Sequence, residues 1–317
     1  MAVPPGPRGH FLAGNGPEIT QKGLLAFFID VWREYGDIVR IQLGPSTHHV
    51  LSHPKDVRHI LQGSRDIYGK GRGFAPIKLL TGEGLLTTEY ERWQPRRRLA
   101  QPPFTPKGVM QFAEGITECV QAQSTAWESL ALTGKSFDIN LAMKDLTMMI
   151  FAKIVLKVEV SDQTRMISSA FTFMIDFVTR RIAAAVQIPM AIPTPEHRQF
   201  KQAKQSVDTL IDDVIERQKD RPDESVLLSI LLHAHDSETG IKLSRQELHD
   251  EVLTMFFAGY ETSAQALTWV WYLLAQHPDI EAKLHAEVDT VLKGRLPTTA
   301  NLGQLKYTRM IIDEALR

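Results

Sequence analysis

The chain has almost no cysteine. Its 317 residues include one, Cys119, which excludes an internal disulfide and a cysteine-rich metal cluster and fits a reducing compartment. Surplus charge is absent too: 36 Lys and Arg against 37 Asp and Glu leave a formal net charge of −1. No electrostatic footprint therefore points to nucleic acid or to an anionic membrane. The N-terminus, Met1-Ala-Val-Pro-Pro-Gly-Pro7, lacks the apolar run of a signal peptide or transmembrane anchor and should be stiff and extended instead. There is no internal repeat and no low-complexity tract. What remains is ordinary for a soluble globular protein, 43% hydrophobic and 23% charged, with length enough for one large domain or two small ones. A cytoplasmic location is the expectation.

The pattern divides near residue 80. About 1–75 reads as a mixed, β-rich lobe: Asp37–Gly44 and His49–Ser52 alternate as short strands around a Gly44-Pro45 turn, and Pro54–Leu61 reads as a short helix opened by proline. Gly69, Gly71 and Gly73 are only loosely like a phosphate cradle, since no strand precedes them and no Lys-Ser/Thr ends the run. From about 84 to 317 the pattern is nearly all helix, over 91–100, 107–131, 140–157, 162–185, 195–219, 224–235, 245–276, 279–293 and 305–317. Ile188–Pro195 interrupts it with an apolar, proline-rich loop, either the lip of a pocket, a weak membrane-contact patch, or a segment packed on its neighbours. The fold class expected is mainly α with a small β-rich N-terminal region.

The longest of these helices should begin at Ser244, capped reciprocally with Glu247. Leu248, Val252, Met255, Phe256, Leu267, Trp271 and Leu274 then recur at helical spacing and point to a core helix. In its middle stands Ala258-Gly259-Tyr260-Glu261-Thr262-Ser263. Gly costs up to ~1 kcal/mol relative to Ala in a helix, and a buried Glu-Thr pair must find partners. A local violation of this kind points to a functional site. Gly259 would let a flat group approach the backbone, Thr262 could back-bond to the helix or hold water, and Glu261 is a titratable carboxylate for proton delivery. A plain helix kink with an internally bonded Thr is the alternative.

Two further segments complete a pattern. Trp93-Gln-Pro-Arg-Arg97 puts an indole N–H and a guanidinium fork on one helix face, a grip suited to a carboxylate, with Phe104 seven residues after Arg97. Pro95 between them is tolerable if the helix starts within the preceding turn. Glu314-Ala-Leu-Arg317 can pair along the last helix. In this order and spacing, and with the Pro-Pro-Gly-Pro start, the three segments resemble the cytochrome P-450 family of haem-thiolate monooxygenases across the whole chain. The resemblance implies that Trp93 and Arg97 hold a haem propionate and that Ala258 and Gly259 lie against the cofactor. Glu261 and Thr262 would be the catalytic acid–alcohol pair for dioxygen activation, with Glu314 and Arg317 bracing the haem site. Leu86, in the loop before the Trp-bearing helix, and Phe256 are candidates for the substrate pocket, as core residues would equally be. The implied cofactor is haem b. The implied partners are an apolar small-molecule substrate and an external ferredoxin or flavoprotein reductase, with no nucleic acid and no membrane anchor.

One family element is absent from these residues. The iron-ligating cysteine belongs to a Gly-rich loop downstream of Glu-x-x-Arg, and Cys119 lies in an amphipathic helical pattern that fits a small buried hydrophobe. Residues 1–317 are therefore expected to be a single incomplete domain, an N-terminal fragment that does not bind haem properly or act alone. A peroxygenase-type relative and a non-catalytic helical remnant stay open, although intact Glu261-Thr262 favours dioxygen chemistry. Phe171, Phe173, Met174, Phe177 and Ile182 suggest greasy walls or plain core. His233, His235 and Glu238 read as solvated loop residues and not as a metal site.

Overall fold

The computed structural model describes residues 3–63, 67–158, 162–184, 187–220, 222–236 and 240–317. It divides into two compact units, one of residues 1–76 with 178–194, the other of 77–177 with 195–317. The sequence pattern had not assigned 178–194 to the N-terminal lobe.

In the first unit, α1 (Gly16–Lys22) and α2 (Leu24–Tyr35) are separated by Gly23 at φ 84°, and Gly36 at φ 92° ends α2. Both helices lie where the alternation had suggested a mixed region. Strands β1 (Ile38–Leu43) and β2 (Ser46–Leu51) form an antiparallel hairpin with Ile38 opposite Leu51 and Leu43 opposite Ser46. Gly44 sits at φ 55°, the sign a two-residue hairpin turn needs. Val39 and Ile41, two apart, face inward onto Phe27 and Val31 of α2 and make the small core of this unit. Helix α3 (Pro54–Arg58) starts on proline as expected and passes into a π-turn over His59–Gly63. At the other end of the unit, Arg181 donates to the Ile188 carbonyl at 2.9 Å and Gln187 to the Arg181 carbonyl at 3.0 Å. Ile188 and Ile192 of the proline-rich loop are exposed.

The second unit is helical. It is built from α4 (Ala75–Thr81, whose first two residues belong to the first unit), α5 (Tyr90–Ala100), α6 (Pro106–Met110), α7 (Ala113–Ala131), α8 (Ile139–Phe151) and α9 (Asp162–Ala183, whose last residues belong to the first unit). These are followed by α10 (Pro195–Gln218), α11 (Leu227–His233), α12 (Arg245–Gln276), α13 (Pro278–Leu292), α14 (Thr299–Leu302) and α15 (Lys306–Ala315). The expected helix over 107–131 is in fact two. A Cβ at Gly108 would come within 2.4 Å of the Pro102 carbonyl, so the short α6 folds back tightly on the Pro102–Phe104 turn before α7 begins. Pro95 is not in the first turn of α5 but at its sixth residue, so the Glu91 carbonyl loses its helical donor.

Helix α12 spans 32 residues, on the order of 48 Å, and carries the reciprocal Ser244–Glu247 cap that its sequence predicts. Its main partner is α8, through Cys119 of α7, Ala142, Met143 and Leu146 of α8, and Ala264 of α12. Leu248, Val252, Phe256 and Leu274 are buried as expected, and Met255 and Leu267 half-buried. Trp271 is not in the core: it packs edge-on against Trp127 at 5.9 Å and is 45% exposed, on a stretch where Trp269 and Tyr272 are also exposed.

Candidate functional site

The middle of α12 turns one face out and one in. Tyr260 and Ala264 are buried, while Ala258, Gly259, Thr262 and Ser263 are exposed. The motif is thus not enclosed in the core, as an apolar helix had suggested, but lies along an open strip. Nothing stands within 4 Å of where a Cβ at Gly259 would be. Its polar groups find partners locally: Thr262 Oγ1 donates to the Ala258 carbonyl at 2.5 Å, and the helix continues unbroken past it. Glu261 is half-buried, 3.3 Å from Lys144 Nζ on α8, and accepts from Gln265 Nε2 at 3.1 Å.

Behind the strip lies an aromatic stack. Phe256 is 3% exposed, with its ring centroid 4.3 Å from that of Phe151 and 3.7 Å from that of Phe171. The Tyr260 hydroxyl lies 3.2 Å from Thr172 Oγ1. Phe171, Met174 and Phe177 are fully packed, Phe173 is half-buried and Ile182 is exposed. Phe256 therefore backs the strip and does not line an open wall. Leu86 is half-buried, in a loop over residues 82–88 that seats on the first turns of α12.

Helix α5 presents three arginines in a row with three different fates. Arg97 is exposed and makes no ion pair among the described residues. On its face of the helix, Trp93 is half-buried and stacked on Tyr90, centroids 6.3 Å apart. Arg98 pairs with buried Asp236 at 2.8 Å. Arg96 is 4% exposed; its Nη2 donates to Glu247 at 2.7 Å and its Nη1 to the Glu83 carbonyl, with Glu251 3.7 Å away. Sequence reasoning singled out Arg97 and missed Arg96. The available signal was its position three and four residues before Leu99 and Ala100, both buried, on the apolar face of α5.

Glu314 and Arg317 pair two-pronged at 2.6 and 3.1 Å on an exposed surface. Cys119 is 7% exposed in α7, and burial pushes its thiol pKa up, the opposite of what a thiolate ligand needs. The His233 ring is held between the Ser229 and Lys219 carbonyls and His235 is exposed. Glu238 lies outside the described residues, and among those described no group of His, Cys, Asp and Glu could hold a metal.

A flat cofactor with carboxylate tails fits two of these features. The first is the backbone laid bare at Ala258 and Gly259. The second is the unpaired fork of Arg97 beside the Trp93 indole, a donor set for an anionic tail. No described helix is long and apolar enough to cross a membrane.

The sequence matches the family model described as cytochrome P450 over residues 4–317. It is 33% identical over 314 residues to the cyclooctatin synthase of Streptomyces melanosporofaciens, covering 98% of this chain and 67% of that protein. The cyclooctat-9-en-7-ol 5-monooxygenase of the same organism is 33% identical over 287 residues, covering 89% of this chain and 61% of its own length. The pentalenene oxygenase of Streptomyces avermitilis is 30% identical over 293 residues, 92% of this chain and 64% of that one. The chain thus spans about two thirds of the length of the relatives it matches. Motifs, fold and family match agree: the chain belongs to the cytochrome P450 family.

Proposed function

We propose that this chain is part of a haem-dependent monooxygenase that inserts one oxygen atom from dioxygen into an apolar small molecule, and that residues 1–317 belong to a single domain of that kind. The observation that carries the reading is the open strip of α12, where Gly259 leaves the backbone bare beside an acid and an alcohol. Haem b, when bound, supplies the iron at which dioxygen is reduced. The chain's own residues would do the rest. Arg97 and Trp93 donate to a propionate, Ala258 and Gly259 admit the ring, and the Glu314–Arg317 pair braces the fold around it. Glu261 holds a proton at its carboxylate once it parts from Lys144 and Gln265, and Thr262 passes it on by turning its hydroxyl away from the Ala258 carbonyl. Leu86 would border the substrate, and Phe256 would shape that border from behind. Relatives named for acting on pentalenene and on cyclooctat-9-en-7-ol support a compact substrate of low polarity. Electrons would come from an external ferredoxin or flavoprotein reductase.

Cys119 is no candidate for the thiolate, so the 317 residues by themselves should not form a thiolate-ligated haem site. The test is a pair of reduced, carbon-monoxide-bound spectra, one of the 317-residue chain and one of any longer product that contains it. The red-shifted Soret band of thiolate-ligated haem is expected from the second alone. That band from the 317 residues would refute the inactivity of the chain alone. Its absence from both would favour a helical remnant without catalysis.

A further inference from the structure

The densest buried charge in the second unit is not on the open strip but two to three turns before it. Asp250 Oδ2 accepts the Glu83 N–H at 2.8 Å and Glu251 Oε2 accepts the Leu85 N–H at 3.0 Å. The 82–88 loop is moulded to this surface. A Cβ at Gly82 would lie 2.3 Å from the Asp250 carboxylate, and one at Gly84 2.0 Å from Thr254 Oγ1. Arg96 closes the other side, donating to the Glu83 carbonyl, so that residue is gripped at both its N–H and its C=O.

Glu251 is the poorly satisfied member. Its side chain is 1% exposed and its Oε1 has no hydrogen-bond partner. Thr254 Oγ1, three residues on, is unpartnered as well. The charges around it are unevenly matched. On α12 stand Glu247, Asp250 and His249; α5 supplies Arg96, already engaged by Glu247; the loop supplies Glu83, paired outward with Lys78 of α4. From α10, Asp208 faces His249 at 3.4 Å and is itself held by Lys204.

We propose that Glu251 is a proton-operated latch for the 82–88 loop, which seats on α12 while Glu251 is neutral and opens more readily once Glu251 ionises. Glu251 is thereby a positioning residue acting through the loop. A buried carboxyl with one oxygen lacking a hydrogen bond, two acidic neighbours and a single nearby cation already bonded to Glu247 prefers its proton, and opening the loop exposes it to water. Burial pushes its pKa up to about 7 from an ordinary value of 4.5, only partly offset by the Leu85 N–H and by the Arg96 guanidinium. The closed state thus binds a proton that the open state releases, so raising the pH favours opening. The consequence for Leu86 and for substrate entry rests on the functional reading above; the latch itself does not.

Native-state amide hydrogen exchange on the 317-residue chain, corrected for the intrinsic rate, tests it. The opening constant of segment 82–88 should rise about tenfold between pH 6 and pH 8, and Glu251→Gln should flatten that rise to less than about twofold. A pH-independent loop overturns the proposal, and so does an unchanged slope in Glu251→Gln, which would assign the effect to another group. Should that variant fail to fold, a carbon-13 titration of the wild-type Glu251 carboxyl decides: a midpoint near 7 supports the latch, an ordinary midpoint refutes it. A pH-dependent loop in a family product that takes up no haem would leave the latch standing and sink the monooxygenase reading.

Discussion

Two stretches of one helix, about one turn apart, carry polar residues under opposite conditions. Residues 248–254 of α12 are buried, and their charges are spent on structure, facing loop amides, Arg96 and one another. Residues 258–263 turn Ala258, Gly259, Thr262 and Ser263 to the outside, and their polar groups bond within the helix, to α8 and, through Tyr260, to Thr172 of α9. A carboxylate means different things in the two settings. Glu251 is costly to ionise and holds a loop; Glu261 is partly exposed and ion-paired with Lys144. Both stretches carry polar residues, so what separates an anchor from an open strip is which elements pack against it.

The sharpest way to break this contrast is to mutate adjacent arginines. Arg96→Ala strands buried Glu251 and half-buried Glu247 and should cost about 3–5 kcal/mol, whereas Arg97→Ala should stay within about 0.5 kcal/mol; chemical denaturation of both variants reads the difference. The rings give a second pair. Phe256→Ala, in the stack with Phe151 and Phe171, should cost about 3–5 kcal/mol. Gly259→Ala, on the open strip, should stabilise the chain by up to ~1 kcal/mol while narrowing the approach to the backbone. Equal effects at 256 and 259 would erase the distinction between core and strip.

The pH profile comes next in size. Glu251 has a raised pKa, so its contribution is full below about 4.5 and is lost as pH rises towards 7, on the order of 3 kcal/mol. His249 adds to the same slope at higher pH. Burial opposes its charge, but Asp208 and Asp250 outweigh that and hold its pKa up to about 9, so its stabilisation is present below about 6.5 and fades as pH rises through 9. Thermal melts from pH 5 to pH 9 should show stability falling, and Glu251→Gln should remove the lower part of the fall. The smallest effect belongs to the strip: Lys144→Ala, breaking the partly exposed pair with Glu261, should cost ~1 kcal/mol or less.

Much of this was legible in the sequence, for identifiable reasons. The Ser244–Glu247 cap, the extent of α12 and the hairpin around Gly44 depend on local chemistry, and all three stand close to where the pattern put them. Helices α1 and α2 were hidden because glycines cut them into short pieces amid strand-like alternation. Arg96 and Arg97 cannot be told apart by residue type, and only the burial of Leu99 and Ala100 assigns one to the interior. The open face at Gly259 was read as core because apolar spacing reports which residues avoid water, not whether a neighbour covers them. The run His249-Asp-Glu251 carried no warning of burial beyond its place between Leu248 and Val252.

The central claim, that the exposed acid–alcohol pair delivers protons in an oxygenation reaction, meets its most direct test in Thr262→Ala. In haem-loaded protein that contains these residues, product formed per electron consumed should fall by roughly 100-fold while haem content and spectrum stay as in the wild type. An unchanged product yield from that variant would contradict the account.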